Sequence, residues 1–144
     1  MMKRVLMVCL GNICRSPAAE VVLRDMAAAA GVVLEVDSCG TSGWHARQAP
    51  YGPMIKAAAA RGYELRTLRA RKLLPSDFTR FDLIVALDAS VLRDVEALRP
   101  AGNSTPAQLL PIPDGNVPDP YYTRNFDQAL GLIETGCRDL LESL

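Results

Sequence analysis

The stretch Val5-Leu6-Met7-Val8-Cys9-Leu10-Gly11-Asn12-Ile13-Cys14-Arg15-Ser16-Pro17 determines how this chain is expected to fold. Its apolar start predicts a buried strand that ends at Cys9. Gly11 and Asn12 tolerate positive φ angles, so they predict a tight loop. Pro17 is a preferred residue at the start of a helix. The sequence therefore places a thiol where a strand ends and Arg15 where a helix begins.

The loop between this thiol and this arginine has the chemistry of a site for a tetrahedral dianion. Inward-facing backbone N–H groups and the positive end of a helix dipole would surround the anion. The planar guanidinium of Arg15 can bind two phosphate oxygens at once. The predicted phosphate-binding residues are Leu10, Gly11, Asn12, Ile13, Cys14, Arg15 and Ser16.

The same positive surroundings favour the thiolate form of Cys9, which is the nucleophilic form. A nucleophilic sulfur in a phosphate site predicts phosphoryl transfer to sulfur. The alternative is that Cys9 is a small buried hydrophobic residue, as a cysteine at a strand end usually is. The spacing Cys-x5-Arg is weak evidence alone, but the strand before it and the Ser-Pro helix start after it favour the phosphate site.

Length and composition predict a single globular domain over residues 1–144. The chain is 49% hydrophobic and carries 16 basic and 16 acidic residues. A neutral chain has no overall attraction to nucleic acid or to a membrane surface, and no apolar stretch is long enough to insert into a membrane. We expect a cytoplasmic protein with four free thiols, no metal and no cofactor.

Strands and helices are predicted to alternate along the chain. The expected strands are residues 5–9, 34–38, 81–87 and 108–110. The expected helices are 17–30, 53–62, one that Asp88 or Ser90 caps and that ends before Pro100, and one from Phe126 onward. Residues 63–80 are expected to be irregular and 111–122 to be a surface loop. This pattern predicts an α/β three-layer sandwich, with a four-stranded parallel sheet of order 2-1-3-4 and helices on both faces. Ligands then bind beyond the carboxyl ends of the strands, where Cys9 lies.

A thiolate that cleaves a phosphate ester needs a general acid for the leaving oxygen and later a base for water. Asp119 lies between Pro118 and Pro120, which stiffen its loop and fix where the carboxylate points. On the residues alone, a simple turn residue is an equal alternative. Asp114 is followed by Gly115, so it is better explained as a turn residue. Ser16 is expected to donate its hydroxyl to the Cys9 sulfur.

Three segments resemble the low molecular weight protein tyrosine phosphatase family, and the resemblance covers essentially the whole chain. They are the loop Val8–Pro17, the stretch Thr41-Ser42-Gly43-Trp44-His45, and Asp119-Pro120-Tyr121-Tyr122. The resemblance implies a protein tyrosine phosphatase that acts through a phosphocysteine on Cys9. It assigns phosphate binding to Arg15 and the general acid and base roles to Asp119.

The aromatic residues Trp44, Tyr121 and Tyr122 are predicted to form a deep slot that admits phosphotyrosine. The alternative is that they close the ends of the core. The resemblance also implies that Cys14 forms a disulfide with Cys9 on oxidation, whereas the alternative is a buried loop thiol. The expected partner is a phosphotyrosine protein or peptide. A tyrosine kinase is a possible second partner. The expected oligomeric state is a monomer or a weak dimer.

The sequence departs from the family pattern at several positions. Leu68 replaces a histidine that hydrogen-bonds the loop asparagine, so the network of Asn12, Ser16 and Ser42 is expected to lack one partner. Arg47 stands where the family has a glycine, and this stretch edges the substrate site. Val91 replaces an asparagine. His45 is expected to be a solvated loop residue without a partner.

Two other functions use similar residues. Arsenate reductases bind arsenate in a similar loop, but the thioredoxin-coupled type needs further cysteines in a mobile segment. This chain has no cysteine between Cys39 and Cys137. A non-catalytic phosphotyrosine-binding module would not need Cys9, Arg15 and Asp119 together.

Overall fold

A four-stranded parallel sheet forms the centre of the computed structural model, which describes residues 3–144. The strands are β1 (Lys3–Cys9), β2 (Leu34–Gly40), β3 (Leu83–Ala86) and β4 (Ala107–Leu109), in the order β2-β1-β3-β4. The predicted sheet and its strand order are confirmed. All three pairings are parallel; Val5, for example, lies opposite Val36 of β2 and Leu83 of β3.

Six helices connect and flank the strands within residues 3–144. They are α1 (Arg15–Ala29), α2 (Gly52–Ala60), α3 (Asp77–Arg80), α4 (Ala89–Leu98), α5 (Pro120–Thr123) and α6 (Phe126–Ser143). No helix in this part of the chain is both long and apolar enough to cross a membrane.

The two faces of the sheet bury separate apolar clusters, as the alternation of side chains along β1 requires. Val5 and Met7 pack into the cluster that includes residues of α1, α2 and α6. Leu6 and Val8 point the other way, into a cluster with residues of α3 and α4. All four side chains are fully buried, which explains why β1 is a continuous apolar run. The three-layer prediction is therefore confirmed.

Helix α1 begins at Arg15, two residues before the predicted start at Pro17. Proline is tolerated in the first turn because N–H groups there have no partner within the helix. The difference matters for the loop, because Arg15 and Ser16 belong to the helix and hold their side chains in fixed directions.

Two short helices lie in segments that were expected to lack regular structure. Helix α3 interrupts residues 63–80, and α5 follows the proline-rich stretch. Pro120 is the first residue of α5, and the Asp119 side chain caps it by accepting the Tyr121 N–H at 3.1 Å. From the sequence, Pro120 is expected only to stiffen a loop, so this helical turn was not predicted.

The start of α4 resolves the choice between two capping residues. The Asp88 carboxylate accepts the Val91 N–H at 2.7 Å, so Asp88 rather than Ser90 is the cap. Strand β3 is shorter than predicted and β4 begins and ends one residue earlier. Val91 is buried in the apolar cluster on the α4 side of the sheet.

Candidate active site

The Cys9 sulfur lies inside the loop that joins β1 to α1. It accepts the Asn12 backbone N–H at 3.3 Å and lies 3.0 Å from the Ser16 hydroxyl oxygen, so the predicted contact with Ser16 is present. Asn12 has a φ of 56°, as the tight loop requires. Only 3% of Cys9 is exposed. These donors are arranged to stabilise negative charge on the sulfur.

Arg15 is buried and held by three groups from two segments, the residue before α4 and the loop before α5. One terminal nitrogen donates to the Asp88 carboxylate at 2.6 Å and to the Val117 carbonyl at 3.0 Å, and the other lies 3.4 Å from the Asp119 carboxylate. Burial alone would lower the pKa of Arg15, but the Cys9 sulfur and the Asp88 carboxylate raise it above its ordinary value.

The Nε atom of Arg15 is buried and has no hydrogen-bond partner within residues 3–144. A buried unpaired N–H is costly, so this donor fits an anion bound next to the guanidinium. Asp88 was not identified as a site residue from the sequence. Its only local signal was its position before a helix, because the contact joins residues 73 apart.

A cleft of about 220 Å³ opens above the sulfur. Its lining combines the loop with two other segments: Cys9, Leu10, Gly11, Ile13, Cys14, Arg15, Trp44, His45, Asp119, Tyr121 and Tyr122. Most of the predicted site residues therefore meet at one place. The exceptions are Asn12 and Ser16, which are buried behind the loop and contact the sulfur from there.

The aromatic side chains at the cleft do not close the core. Trp44 is 73% exposed, Tyr122 71% and Tyr121 41%. The Tyr121 ring packs between Tyr51 and Tyr122, with centroid distances of 5.1 Å and 5.3 Å. This packing supports Tyr121 as one wall of the cleft and leaves its open side to a ligand.

Asn12 is fully paired, so the expected loss of a partner is wrong. Its amide nitrogen donates to Ser16 Oγ at 2.7 Å and to Ser38 Oγ at 3.0 Å, and its oxygen accepts the Arg71 backbone N–H at 3.0 Å. Ser42 was predicted to belong to this network but donates to the Leu10 carbonyl instead. Ser38 and the Arg71 amide were missed because they lie far from the loop in sequence.

Leu68 packs against the apolar cluster on the α1 side of the sheet. It therefore contributes burial at the position where the family pattern has a hydrogen-bonding histidine. The rigidity of the loop rests on the Asn12 network and not on this position.

Glu20, a buried residue of α1, extends this network from Ser38 into the core. It is 3% exposed; one carboxylate oxygen accepts the Ser38 hydroxyl at 2.6 Å and the other pairs with Arg24. Burial raises the pKa of Glu20, while the bonds from Ser38 and Arg24 oppose that shift. These two partners explain how a carboxylate can occupy an inward-facing helix position.

His45 also differs from its prediction. Its Nδ1 lies 3.0 Å from Gln48 Oε1, and the ring lines the cleft. A Cβ atom at Gly11 would lie 3.1 Å from the His45 ring, so glycine permits this contact. Gly40 has a similar role at the end of β2, where a Cβ would lie 2.7 Å from the Leu10 carbonyl oxygen.

All four cysteines are free thiols. Cys14 lines the cleft but is buried, and burial together with the charges of Asp119 and Cys9 raises its pKa to about 12. Cys39 and Cys137 are also buried, which raises the pKa of both thiols, that of Cys137 to about 12. These three thiols therefore stay neutral at physiological pH.

A loop that joins a central strand to a helix at the carboxyl edge of a parallel sheet, with Cys9 and Arg15 at its two ends, is the arrangement expected of a small α/β phosphatase. The family model "Low molecular weight phosphotyrosine protein phosphatase" matches residues 4–144, so the chain belongs to that family. It is accordingly an enzyme of the protein tyrosine phosphatase class.

Individual relatives agree with this assignment. The low molecular weight protein-tyrosine-phosphatase YfkJ of Bacillus subtilis is 38% identical over 149 aligned residues, covering 97% of this chain and 94% of that protein. The YfkJ crystal structure superposes with a TM-score of 0.92 and covers 99% of this chain and 94% of its own. The Schizosaccharomyces pombe phosphotyrosine protein phosphatase is 41% identical over 127 residues, covering 83% and 81% of the two chains.

One further structural neighbour is named for a different substrate. It is DARP, the Drosophila arginine phosphatase, with a TM-score of 0.90, 28% identity and 96% coverage of both chains.

Proposed function

We propose that this enzyme hydrolyses phosphotyrosine in proteins or peptides, and simple aryl phosphates, through a phosphocysteine formed on Cys9. The observation that carries the proposal is the arrangement of three groups at one cleft. The buried Arg15 guanidinium links the Asp119 carboxylate to the loop that holds the Cys9 sulfur. These are a nucleophile, an anion-binding cation and an acid.

In the first step the phosphoryl group binds in the loop, where Arg15 Nε is an unpaired donor. The Cys9 thiolate forms a bond to phosphorus while the bond from phosphorus to the tyrosine oxygen breaks. Asp119, protonated at this stage, gives its proton to the leaving phenolate oxygen. Arg15 and the loop N–H groups stabilise the charge on the equatorial oxygens.

In the second step water replaces the phenol. The Asp119 carboxylate takes a proton from this water while the water oxygen attacks phosphorus. The phosphorus–sulfur bond breaks and releases phosphate and the Cys9 thiolate. The Ser16 hydroxyl, 3.0 Å from the sulfur, stabilises the thiolate as it leaves. Asp119 is then protonated again, so the cycle balances.

The cleft supports an aryl substrate. Trp44, Tyr121 and Tyr122 form its outer part, while the sulfur lies at its buried end. A phenyl ring spans that depth and packs on the aromatic walls, whereas phosphoserine is shorter. Because of the similarity to DARP, a phosphoarginine peptide is the comparison substrate. We expect it to be hydrolysed more slowly than a phosphotyrosine peptide, because the aromatic rings of the cleft favour an aryl group.

Several features of the enzyme follow from this chemistry. Residues 1–144 act as one domain, and the loop of residues 9–16 is its phosphate-binding loop. The Cys9 thiol must stay reduced, which a cytoplasmic location provides. A tyrosine kinase supplies the phosphorylated substrate. Mild oxidation links Cys9 to Cys14 and so regulates activity reversibly.

The substitution Asp119→Asn tests the assigned acid and base. We expect kcat for a phosphotyrosine peptide to fall by about 100-fold or more, since general acid–base catalysis contributes about that much. Inorganic phosphate should still bind as an inhibitor, because the loop and Arg15 are intact. The measurements are steady-state kinetics and phosphate inhibition constants.

Asp114→Asn is the matched control. Asp114 belongs to the same loop, is exposed, and accepts the Asn116 N–H away from the cleft. This variant should keep the parent rate. Equal rates for Asp119→Asn and the parent would refute the role of Asp119.

A further inference from the structure

The basic residues of this chain are concentrated next to the cleft, although the whole chain is neutral. Residues 41–53 and 65–76 contain no aspartate or glutamate. They carry Arg47, Arg66, Arg69, Arg71 and Lys72. A local excess of one charge creates a field that a neutral total conceals.

The two segments lie together beside the loop that holds Cys9. The Arg47 N–H donates to the Ala70 carbonyl at 2.7 Å, and the Ala70 N–H donates to the Gln48 carbonyl at 2.8 Å. A Cβ atom at Gly43 would lie 3.5 Å from Lys72 Cδ. The Lys72 side chain therefore runs past the residue that precedes Trp44, which lines the cleft.

Two of the five cations are neutralised locally. Arg71 pairs with Asp37 at 3.1 Å and Asp77 at 3.0 Å, and Arg66 pairs with Glu64 at 2.9 Å. The other three, Arg47, Arg69 and Lys72, are exposed and have no carboxylate within 4.0 Å in residues 3–144. We call these three residues the basic face.

Arg47 occupies a backbone position that suits glycine. Its φ is 71°, in the left-handed region that most residues avoid. This chain therefore carries a charged side chain on strained backbone two residues after His45, which lines the cleft. Backbone strain of this kind is concentrated at functional sites in proteins.

We propose that the basic face selects phosphotyrosine sites flanked by aspartate or glutamate. The inference rests on the proposed function, because the phosphotyrosine must occupy the cleft. An extended peptide advances about 3.3 Å per residue, so residues one to three positions from the tyrosine cross the rim of the cleft. Acidic side chains there meet Arg47, Arg69 and Lys72, and this attraction speeds binding.

The experiment compares kcat/KM for two phosphotyrosine peptides that differ only in three flanking residues, glutamate in one and glutamine in the other. Exposed ion pairs predict a preference of the parent enzyme for the acidic peptide of about 3-fold to 10-fold at low salt. In the double variant Arg47→Gln, Lys72→Gln, which keeps Arg69, the ratio should fall to about 2-fold or less. Adding salt should reduce the parent ratio, because exposed charges are screened.

Arg138→Gln is the matched control. Arg138 is exposed on α6, a helix that contributes no residue to the cleft, and has no carboxylate partner within the described residues. This variant should keep the parent ratio. Arg47→Gly should raise the melting temperature by relieving the positive φ, yet lower the ratio. If Arg47 had only a structural role, Arg47→Gly would leave the ratio of the two kcat/KM values unchanged.

A parent ratio near one, or a ratio that survives in the double variant, overturns the proposal. Binding to phosphatidylserine vesicles that the double variant loses, with no peptide preference in the parent, would assign the face to a membrane surface and also overturn it. The glutamine peptide keeps the two proposals distinguishable. If the parent enzyme hydrolyses neither the glutamine peptide nor the acidic peptide, the proposed function itself fails.

Discussion

Cys9 and Cys14 share one loop but have different surroundings. The Cys9 sulfur receives a backbone N–H and lies beside a hydroxyl. Cys14 is held neutral, since burial and the negative charges near it raise its pKa to about 12. At neutral pH only Cys9 is therefore expected to react with electrophiles, and we propose that Cys14 reacts only after Cys9 is oxidised.

The redox proposal is tested with hydrogen peroxide. Peroxide converts the Cys9 thiolate to a sulfenic acid and leaves as hydroxide; the Cys14 sulfur then displaces the sulfenic hydroxyl as water and forms a disulfide. We expect loss of activity, a Cys9–Cys14 crosslink by mass spectrometry, and recovery with dithiothreitol. In Cys14→Ser a second peroxide should oxidise the Cys9 sulfenic acid to sulfinic acid, which dithiothreitol does not reduce, so the loss should become irreversible. Reversible inactivation without that crosslink would contradict the role of Cys14.

Residue identities in the loop could be predicted because the loop is local. Cys9, Gly11, Asn12 and Arg15 lie within one short stretch, and a positive φ at Asn12 followed from its residue type. Asp88, Ser38 and the Arg71 amide could not be predicted. They reach the loop across the fold, and no local pattern encodes contacts between residues so distant in sequence.

At the scale of elements, helix α6 packs on the sheet through a glycine. A Cβ atom at Gly136 would lie 2.4 Å from Leu110 Cγ, and Leu110 is fully buried just after β4. From Phe126 onward, apolar residues at helical spacing form a stripe that predicts a helix with one buried face. The close approach depends on the packing partner, which the stripe alone does not reveal.

Alanine substitutions at two glycines of α6 should have opposite effects. Gly136→Ala forces Leu110 to move and should lower the free energy of unfolding by about 1–3 kcal/mol, as overpacking does. Gly131→Ala, where no atom lies within 4 Å of the added Cβ, should raise it by about 0.5–1 kcal/mol through helix propensity. Urea unfolding curves measure both. Stabilisation by both substitutions would contradict the packing described for α6.

The long helices were predictable from the helical spacing of their apolar residues, and the strands from short apolar runs between turn residues. The one-turn helices α3 and α5 were not, since a four-residue element carries no period. For α5 the signal was present in Asp119 and Pro120, a cap followed by a proline, but it was explained as loop stiffness.

At the scale of the whole molecule, the parallel sheet assembles the site. Cys9 ends β1 and Asp88 follows β3, so parallel strands bring both residues to one edge of the sheet. The strand order therefore predicted where the cleft would lie. It did not predict that Arg15 would contact both Asp88 and Asp119, which lie 73 and 104 positions further along the chain.

The most direct test of the central claim is to trap the covalent intermediate. The enzyme is mixed with a phosphotyrosine peptide, quenched within one turnover under conditions that preserve phosphocysteine, digested and analysed by mass spectrometry. The account predicts phosphate on Cys9 of the parent and none in Cys9→Ser, which should release no phosphate. Parent enzyme that releases phosphate with no label on Cys9, or with the label on another residue, would contradict it.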